Sequence, residues 1–160
     1  MLKRILLVVV AIFIIIQFIR PERNIHPEPQ TAGIMNMYPA SEQVKGILKK
    51  ACYDCHSNNT RYPWYNNIQP VAWWLNSHVR DGKGHLNYDE FLNYPPSTQL
   101  KKLKGTAKLV KGGQMPLSSY LWIHKDAKLT DQEKSAIVSW ADSTAQKIST
   151  GGANVQVDTR

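Results

Sequence analysis

Two cysteines and a histidine lie within five residues of one another, at Cys52, Cys55 and His56. They belong to the stretch KKACYDCHSNNTRYPWY, which holds both cysteines of the 160-residue chain. Thiols and an imidazole at this spacing serve three kinds of chemistry: a redox-active dithiol, part of a zinc site, or the covalent attachment of haem. Each interpretation places different demands on the rest of the sequence.

The surrounding sequence argues against the first two interpretations. A thioredoxin-type dithiol follows a β-strand, whereas the residues before Cys52 have the spacing of an amphipathic helix that Ser41 caps. A disulfide between the two cysteines would close only a tiny loop and stabilise little. A structural zinc ion needs four ligands, and the other histidines, 26, 78, 85 and 124, are scattered singly. The predicted apolar face of the helix is Val44, Ile47, Leu48 and Ala51.

The attachment of haem uses all three residues. In a Cys-x-x-Cys-His motif the two thiols add across the vinyl groups of haem, and the histidine becomes an axial ligand of the iron. One turn of backbone presents both sulfurs to the edge of the porphyrin and the imidazole to its face. The motif predicts one covalent haem c, held by Cys52 and Cys55, with His56 on the iron.

A low-spin electron carrier also needs a sixth iron ligand, usually methionine or histidine. Of the four methionines, Met115 alone lies inside the domain after the motif, in KGGQMPLSSY. Gly112 and Gly113 end a predicted helix before it, and Pro116 stiffens the loop that follows. Met115 is the predicted sixth ligand, and a core methionine that fills a gap is the alternative.

Two histidines compete with Met115 for the iron. His78 is predicted to lie on the inward face of a helix that Pro70 opens, facing the core or the haem edge. His124 lies near the methionine loop and is the stronger rival. His85, in DGKGHLN, is expected in an exposed turn.

A run of aromatic residues follows the motif in RYPWYNNIQPVAWW. Flat apolar rings suit the wall of a porphyrin site, and an indole N–H can donate to a propionate. Trp64 and Arg61 are the predicted further contacts of the cofactor, with Arg61 as the partner of a propionate. An ordinary aromatic core is the alternative interpretation of the rings.

The N-terminus predicts export. Lys3 and Arg4 precede an apolar run, Ile5 to Ile19, that Gln17 alone interrupts, as in secretory signals and signal-anchors. A helix of this length spans about 22 Å, against a hydrocarbon core of about 30 Å, and the run lacks the small residues of a cleavage site. We expect an inner-membrane anchor over residues 1–20 and a periplasmic domain, with a cleaved signal as the alternative.

The rest of the chain divides into three predicted parts. Residues 21–37 contain three prolines and no helical period, which predicts an extended linker. Residues 38–148 form the predicted haem-binding domain. Residues 149–160 are small and polar, and we expect a disordered tail.

No strand pattern occurs in the domain, so its predicted class is all-α. Ser97 is expected to cap one helix, and Thr130 with Glu133 forms a capping box for the last. The last helix is expected to pack on the helix before the motif and to close the cofactor in. The helix that Ser97 is expected to cap has a predicted apolar face of four residues, Leu100, Leu103, Ala107 and Val110.

The chain carries a formal net charge of +8. Nucleic acid is a poor explanation of this charge in an exported protein, whereas an acidic redox protein fits. The lysines of the helix that Ser97 is expected to cap are the predicted docking surface for this acidic protein. The alternative is that they only form the solvated flank of the helix. These lysines are Lys101, Lys102, Lys104, Lys108 and Lys111.

The sequence resembles the exported haem-binding domain family of c-type cytochrome-like proteins, common in Bacteroidetes-type bacteria. The similarity rests on CYDCHSNNTRYPWYNNIQPVAWW, HVRDGKGHLNYDEF, GGQMPLSSYLWIH and IVSWAD, and covers about residues 41–142. It implies a cytochrome c-like helical fold, covalent haem at Cys52 and Cys55, His56 as the proximal ligand, and Met115 as the methionine of the family's Met-Pro loop. Haem attachment defines this family more than any reaction does.

Three hypotheses of function follow. The first is a monohaem cytochrome c that passes single electrons in the periplasm and is not an enzyme, with His56 and Met115 on the iron. The second is a haem sensor or peroxidase-like enzyme whose sixth position is labile or open, with His78 or His124 as the polar distal residue. The third, a dithiol oxidoreductase, requires reactive thiols.

Overall fold

The computed structural model of the protein describes residues 1–153, and helices account for most of them. The α-helices are α1 (Leu2–Ile16), α2 (Ile34–Met37), α3 (Glu42–Ala51), α4 (Tyr53–His56), α5 (Val71–His85), α6 (Pro96–Lys111), α7 (Ser118–Leu121) and α8 (Asp131–Ala153). Short 3-10 helices lie at Trp64–Asn67, Tyr88–Asn93 and Lys125–Ala127. Pairing of β type over residues 1–153 is limited to an isolated bridge between Ile25 and Asn59, so the predicted all-α class is confirmed.

Two helices begin at the caps that the sequence predicts. The Ser41 hydroxyl accepts a hydrogen bond from the Val44 N–H at 3.3 Å, and the predicted apolar face of α3 is buried. At the start of α8, the Thr130 N–H donates to the Glu133 carboxylate at 2.9 Å. The Glu133 N–H donates back to the Thr130 hydroxyl at 3.2 Å, which completes the capping box.

The predicted start of α6 and the predicted turn at His85 are both wrong. Helix α6 begins at Pro96, so Ser97 lies inside its first turn and does not cap it. Proline suits the first helical position because its φ is already helical and an N–H is not needed there. The stretch DGKGH continues α5 through His85, because two helical glycines weaken a helix without ending it.

One hydrophobic core lies among α2, α3, α6 and α8. Helix α8 packs on α3, as the sequence predicts, and more extensively on α6. Lys50 of α3 and Glu133 of α8 form an ion pair at 2.6 Å across that smaller contact. The largest fully buried apolar side chains are Tyr88, Phe91, Ile34, Leu48, Leu103 and Ile137.

Residues 21–37 pack on the domain, in contrast to the predicted extended linker. Ile34 is 1% exposed and belongs to the core. The buried Asn24 side chain donates to the Ser57 carbonyl oxygen and to the Thr60 hydroxyl, both at 2.9 Å. These partners lie more than 30 residues later in the chain, so a local pattern of prolines and polar residues does not indicate them.

Helix α1 has no buried residue. The residues that follow it are hydrogen-bonded to the start of α5 and to the residues just before α5. The Gln17 side-chain oxygen accepts a hydrogen bond from the Gln69 N–H at 2.9 Å, and the Trp73 indole donates to the Ile19 carbonyl oxygen at 3.0 Å. Among the helices of residues 1–153, none has the length and apolarity that a membrane crossing requires. The predicted anchor over residues 1–20, with the membrane as a partner, is therefore not supported.

The predicted tail begins inside a helix. Helix α8 continues to Ala153, past the predicted end of the domain at residue 148, where Ile148 still packs in the core. The remainder of the predicted tail, residues 154–160, lies outside the residues that the structure describes.

The Ile34→Ala variant tests whether residues 21–37 belong to the domain. Removing a fully buried isoleucine side chain costs about 2–5 kcal/mol in free energy of unfolding, so we expect a lower midpoint in urea denaturation followed by circular dichroism. Met37→Ala is the matched control, because Met37 is 61% exposed. An Ile34→Ala variant as stable as that control would show that the segment is an independent linker.

Candidate functional site

A cavity of about 850 Å³ lies among α4, α5, α6 and the loop that carries α7. Cys52, Cys55, His56 and Met115 all line it, so the structure brings together four of the predicted site residues. Most of the remaining wall is aliphatic or aromatic. Its apolar side chains include Trp74, Leu75, Leu86, Tyr88, Leu109 and Val110.

The two cysteines and the histidine sit on one tight turn. Helix α3 ends at Cys52, and the single turn of α4 follows directly. The Cys52 carbonyl oxygen accepts hydrogen bonds from the backbone N–H groups of Cys55 at 3.2 Å and His56 at 3.0 Å. These bonds place both sulfurs and the imidazole within one turn of backbone, the arrangement that the motif requires.

Gly82 allows α5 to pass directly over this turn. A Cβ atom added at Gly82 would lie 2.6 Å from the Cys55 carbonyl oxygen and 3.0 Å from its Cβ. Contacts this short are not tolerated, so any larger residue would move α5 away from α4. The absence of a side chain at Gly82 therefore sets the distance between α5 and the cysteine turn.

A hydrogen bond orients the His56 ring. His56 Nδ1 lies 2.9 Å from the Leu86 carbonyl oxygen. A carbonyl oxygen only accepts, so Nδ1 carries the proton and Nε2 keeps a free lone pair. Burial lowers the pKa of His56, although hydrogen bonds to backbone carbonyls oppose this shift. The neutral ring thus presents Nε2 as a potential metal ligand.

The backbone before Met115 turns sharply at the end of α6. Gly113 has a φ of +67°, a conformation that glycine adopts without strain. The N–H groups of Gln114 and Met115 both donate to the Leu109 carbonyl oxygen, at 2.9 and 3.3 Å. This turn places the half-buried Met115 side chain at the cavity wall.

The two thiols are poor nucleophiles in this setting. Burial is the main cause that raises the pKa of Cys52 to about 12 and that of Cys55 to about 11. At neutral pH both thiols are therefore protonated, whereas a catalytic dithiol needs a lowered pKa and a thiolate. This environment disfavours the dithiol oxidoreductase hypothesis.

A protein zinc site also lacks support in the described part of the chain. Within residues 1–153, no three or more His, Cys, Asp or Glu side chains form a group that could hold a metal ion. His56 therefore lines the cavity beside two thiols without forming a protein zinc site with them.

Two predicted contacts, Trp64 and Arg61, do not line the cavity. The Trp64 side chain is 75% exposed, because the 3-10 helix that begins at this residue turns its ring outward. Arg61 binds a protein carboxylate instead: its Nε and Nη2 atoms donate to the two oxygens of Asp54, at 3.1 and 3.2 Å. A bidentate pair of this kind occupies the guanidinium.

The competing histidines also lie at the cavity. The Nδ1 atom of His78 donates to the Trp74 carbonyl oxygen at 2.9 Å, which leaves its Nε2 free. His124 Nε2 is hydrogen-bonded to the Tyr65 hydroxyl at 2.8 Å. His85 lines the rim as the last residue of α5. His124 is therefore already engaged through the nitrogen that would bind a metal ion.

Sequence reasoning missed Asp54 and Tyr120, which complete one wall of the cavity. Asp54 lies between the two cysteines and is 6% exposed, and the Tyr120 hydroxyl donates to its Oδ2 at 2.8 Å. A charged residue inside the motif was visible in the sequence. Tyr120 carries no comparable pattern, since its partner lies 66 residues away.

Comparison with known proteins adds one finding. Residues 11–143 match the model of a family described as "Haem-binding domain". This range covers most of the chain and every residue that lines the cavity. Neither the curated proteins nor the solved structures contain a significant match.

The Gly82→Ala variant tests the close approach of α5 to the cysteine turn. Crowding in a packed site costs about 1–3 kcal/mol, so we expect a lower free energy of unfolding in urea. Gly84→Ala is the matched control, because a Cβ added at Gly84 meets nothing within 4 Å. Alanine there should be neutral or stabilising by up to about 1 kcal/mol. Equal stability of the two variants would contradict the proposed contact.

Proposed function

Because the chain belongs to the haem-binding domain family, we propose that its cavity holds one covalent haem c and that the protein passes single electrons. Haem binding itself follows from the family. The observation that carries the rest is the arrangement of the cysteine turn and Met115 around a single cavity. A thiol pair, an imidazole and a thioether are together the ligand set of a cytochrome c.

The cavity fits a group of this size and chemistry. Its volume of about 850 Å³ falls within the range of about 300–1,000 Å³ that is usual for cofactor sites. Aromatic and aliphatic side chains line most of it, as a large flat macrocycle requires. When bound, haem supplies an iron that changes between the ferric and ferrous states by one electron.

The chain's own residues then have separate tasks. Cys52 and Cys55 would hold the group through thioether bonds, each formed as an S–H group adds across a vinyl C=C without any redox change. His56 would offer Nε2 to the iron, because Nδ1 is bound to the Leu86 carbonyl oxygen. Met115 would provide the second ligand, and a thioether ligand raises the potential of a haem iron.

A site with both axial positions filled favours electron transfer over catalysis. With His56 and Met115 both bound, the iron would have no open position for a substrate, which favours a carrier over an enzyme. The apolar walls keep water away and reduce the reorganisation that accompanies a change of charge.

The second candidate is a haem sensor or peroxidase-like enzyme, and one observation favours it. Tyr65, Tyr120 and His124 form a polar group on the wall of the cavity that also contains Met115. If Met115 left the iron, these side chains would provide hydrogen bonds to a small ligand. Rapid binding of carbon monoxide by the reduced protein at neutral pH would favour this candidate.

Export of the domain is part of the proposal. Covalent haem attachment in bacteria takes place outside the cytoplasm, and α1 joins a basic start to a continuous apolar run. We infer that this segment directs the domain to the periplasm, where a maturation system attaches the haem.

An acidic redox protein is the proposed partner. Lys101 and Lys102 lie at the cavity itself, and Lys104, Lys108 and Lys111 continue along α6. A row of positive charge beside a redox centre attracts and orients a partner of opposite charge. The overall charge of +8 adds to this attraction at long range.

The absorption spectrum of the exported protein, oxidised and reduced, tests the ligand assignment. We expect haem that stays bound through denaturation and a far-red sulfur-to-iron band in the wild type. Met115→Ala should lose that band completely and keep the covalent haem. Met37→Ala is the control, because Met37 is exposed and lies away from the cavity.

The other outcomes distinguish the alternatives. A covalent haem whose spectrum is the same in Met115→Ala would remove Met115 from the iron and favour the sensor or enzyme. The absence of attached haem would contradict the proposal as a whole.

Reversal of charge on α6 tests the partner surface. We expect the Lys101→Glu/Lys104→Glu variant to exchange electrons with a small acidic redox protein about ten-fold more slowly at low salt, since steering contributes a factor of about ten or more. Stopped-flow rates at several ionic strengths measure this effect. The control, Lys128→Glu/Lys147→Glu, changes the same charge at exposed sites outside the cavity. Equal rates for the two variants would contradict a specific surface.

A further inference from the structure

Asp54 is a buried carboxylate in the middle of the cysteine motif. It lies on α4 between Cys52 and Cys55, and only 6% of its surface is exposed. Buried carboxylates are costly unless they are paired and hydrogen-bonded. The buried Asp54 carboxylate therefore needs strong hydrogen-bond donors, and residues from two different segments of the chain donate to it.

The first partner is Arg61, in the loop after α4. Its guanidinium donates to both carboxylate oxygens of Asp54, and its backbone N–H donates to Oδ1 at 3.2 Å. These three hydrogen bonds fix the orientation of the Asp54 carboxylate relative to the loop after α4. This pair joins the cysteine turn to the loop that follows it.

The second partner is Tyr120, on the methionine side of the cavity. Its hydroxyl donates to Asp54 Oδ2 at 2.8 Å. Tyr120 belongs to α7, which follows the Met115–Pro116 turn directly. Its ring stacks on the His124 ring, with centroids 4.2 Å apart and an angle of 7° between the planes. This hydrogen bond joins the His56 turn to the segment that carries Met115.

The loop between α6 and α7 is largely open to solvent, although Met115, Tyr120 and Leu121 pack partly against the core. Residues 112–114 and 117–118 are exposed. The backbone of the turn is bound to Leu109 of its own helix, and that contact does not fix the loop relative to α4. The hydrogen bond between Tyr120 and Asp54 links this segment to α4, and the bond between Tyr65 and His124 links it to the 3-10 helix Trp64–Asn67. A hydrogen bond to a carboxylate is stronger than one to a neutral acceptor.

We propose that Asp54 is a positioning residue that holds the loop of Met115, through Tyr120, at the distance where its sulfur binds the iron. The inference rests on the proposed function of the cavity and adds a residue that acts on the sixth ligand from inside the attachment motif. It predicts that the state with Met115 on the iron becomes less populated when this hydrogen bond is removed.

The Tyr120→Phe variant of the haem-loaded protein tests the proposal. Phenylalanine keeps the ring stacked on His124 and removes only the hydroxyl. Since a hydrogen bond to a charged group changes an equilibrium by about ten-fold or more, we expect a weaker far-red band and carbon monoxide binding about ten-fold faster in the ferrous protein. Tyr62→Phe is the matched control, because the Tyr62 hydroxyl accepts from the Asn24 N–H at 2.7 Å, outside the cavity.

The outcomes separate this proposal from the function on which it rests. A wild-type band that persists in full in Tyr120→Phe, with an unchanged rate of carbon monoxide binding, overturns the role of Asp54 and leaves the electron carrier intact. A wild type with covalent haem and no sulfur-to-iron band overturns both. Faster carbon monoxide binding in Tyr62→Phe as well would indicate a general loss of stability and also overturn the proposal.

Asp54→Asn provides a second test if Tyr120→Phe loads poorly with haem. The amide oxygen of asparagine can still accept from Tyr120, but the negative charge is gone. We expect a change in the same direction and of smaller size, read from the same band and the same rate. Wild-type values in this variant would overturn the proposal.

Discussion

The backbone contact between α5 and the cysteine turn is the constraint on which the site depends. Gly82 permits this contact, because a side chain at that position would collide with the Cys55 carbonyl oxygen. Three residues later α5 ends at His85, and the carbonyl oxygen of the next residue, Leu86, accepts a hydrogen bond from His56 Nδ1. Several residues of the same helix line the cavity. One close approach thus brings a wall of the cavity, and the carbonyl group that sets the histidine tautomer, against the cysteine turn.

Most local interactions were predictable from the sequence, with the start of α6 and the turn at His85 as exceptions. Distant interactions were not predictable. The caps of α3 and α8, their buried faces and the end of α6 at two glycines all depend on residues within one or two turns. Residues 21–37 illustrate the opposite case. Asn24 and Ile34 find their partners only in the folded chain, so a segment that resembles a linker in composition becomes part of the domain.

The same distinction applies to the cavity. The spacing of Cys52, Cys55 and His56 and the Gly-Gly-x-Met-Pro pattern indicated the residues that the structure brings together. Arg61 was expected to bind a propionate, yet a carboxylate seven residues earlier binds it instead. Nothing in the local pattern of Arg61 or Tyr120 shows that both converge on Asp54. A shared acceptor of this kind is a property of the tertiary structure.

The order of residues along the chain determines the order in which the parts of the cavity are synthesised. The cysteine turn is synthesised early, whereas the partners that bury it, α5, α6 and Tyr120, follow later. Tyr120 lies 66 residues after Asp54, which corresponds to roughly 3–13 s at a synthesis rate of about 5–20 residues per second. Until those later elements pack on the turn, burial does not raise the pKa of Cys52 or Cys55. The two cysteines are therefore synthesised first, and they become buried only after the later helices have formed and packed on them.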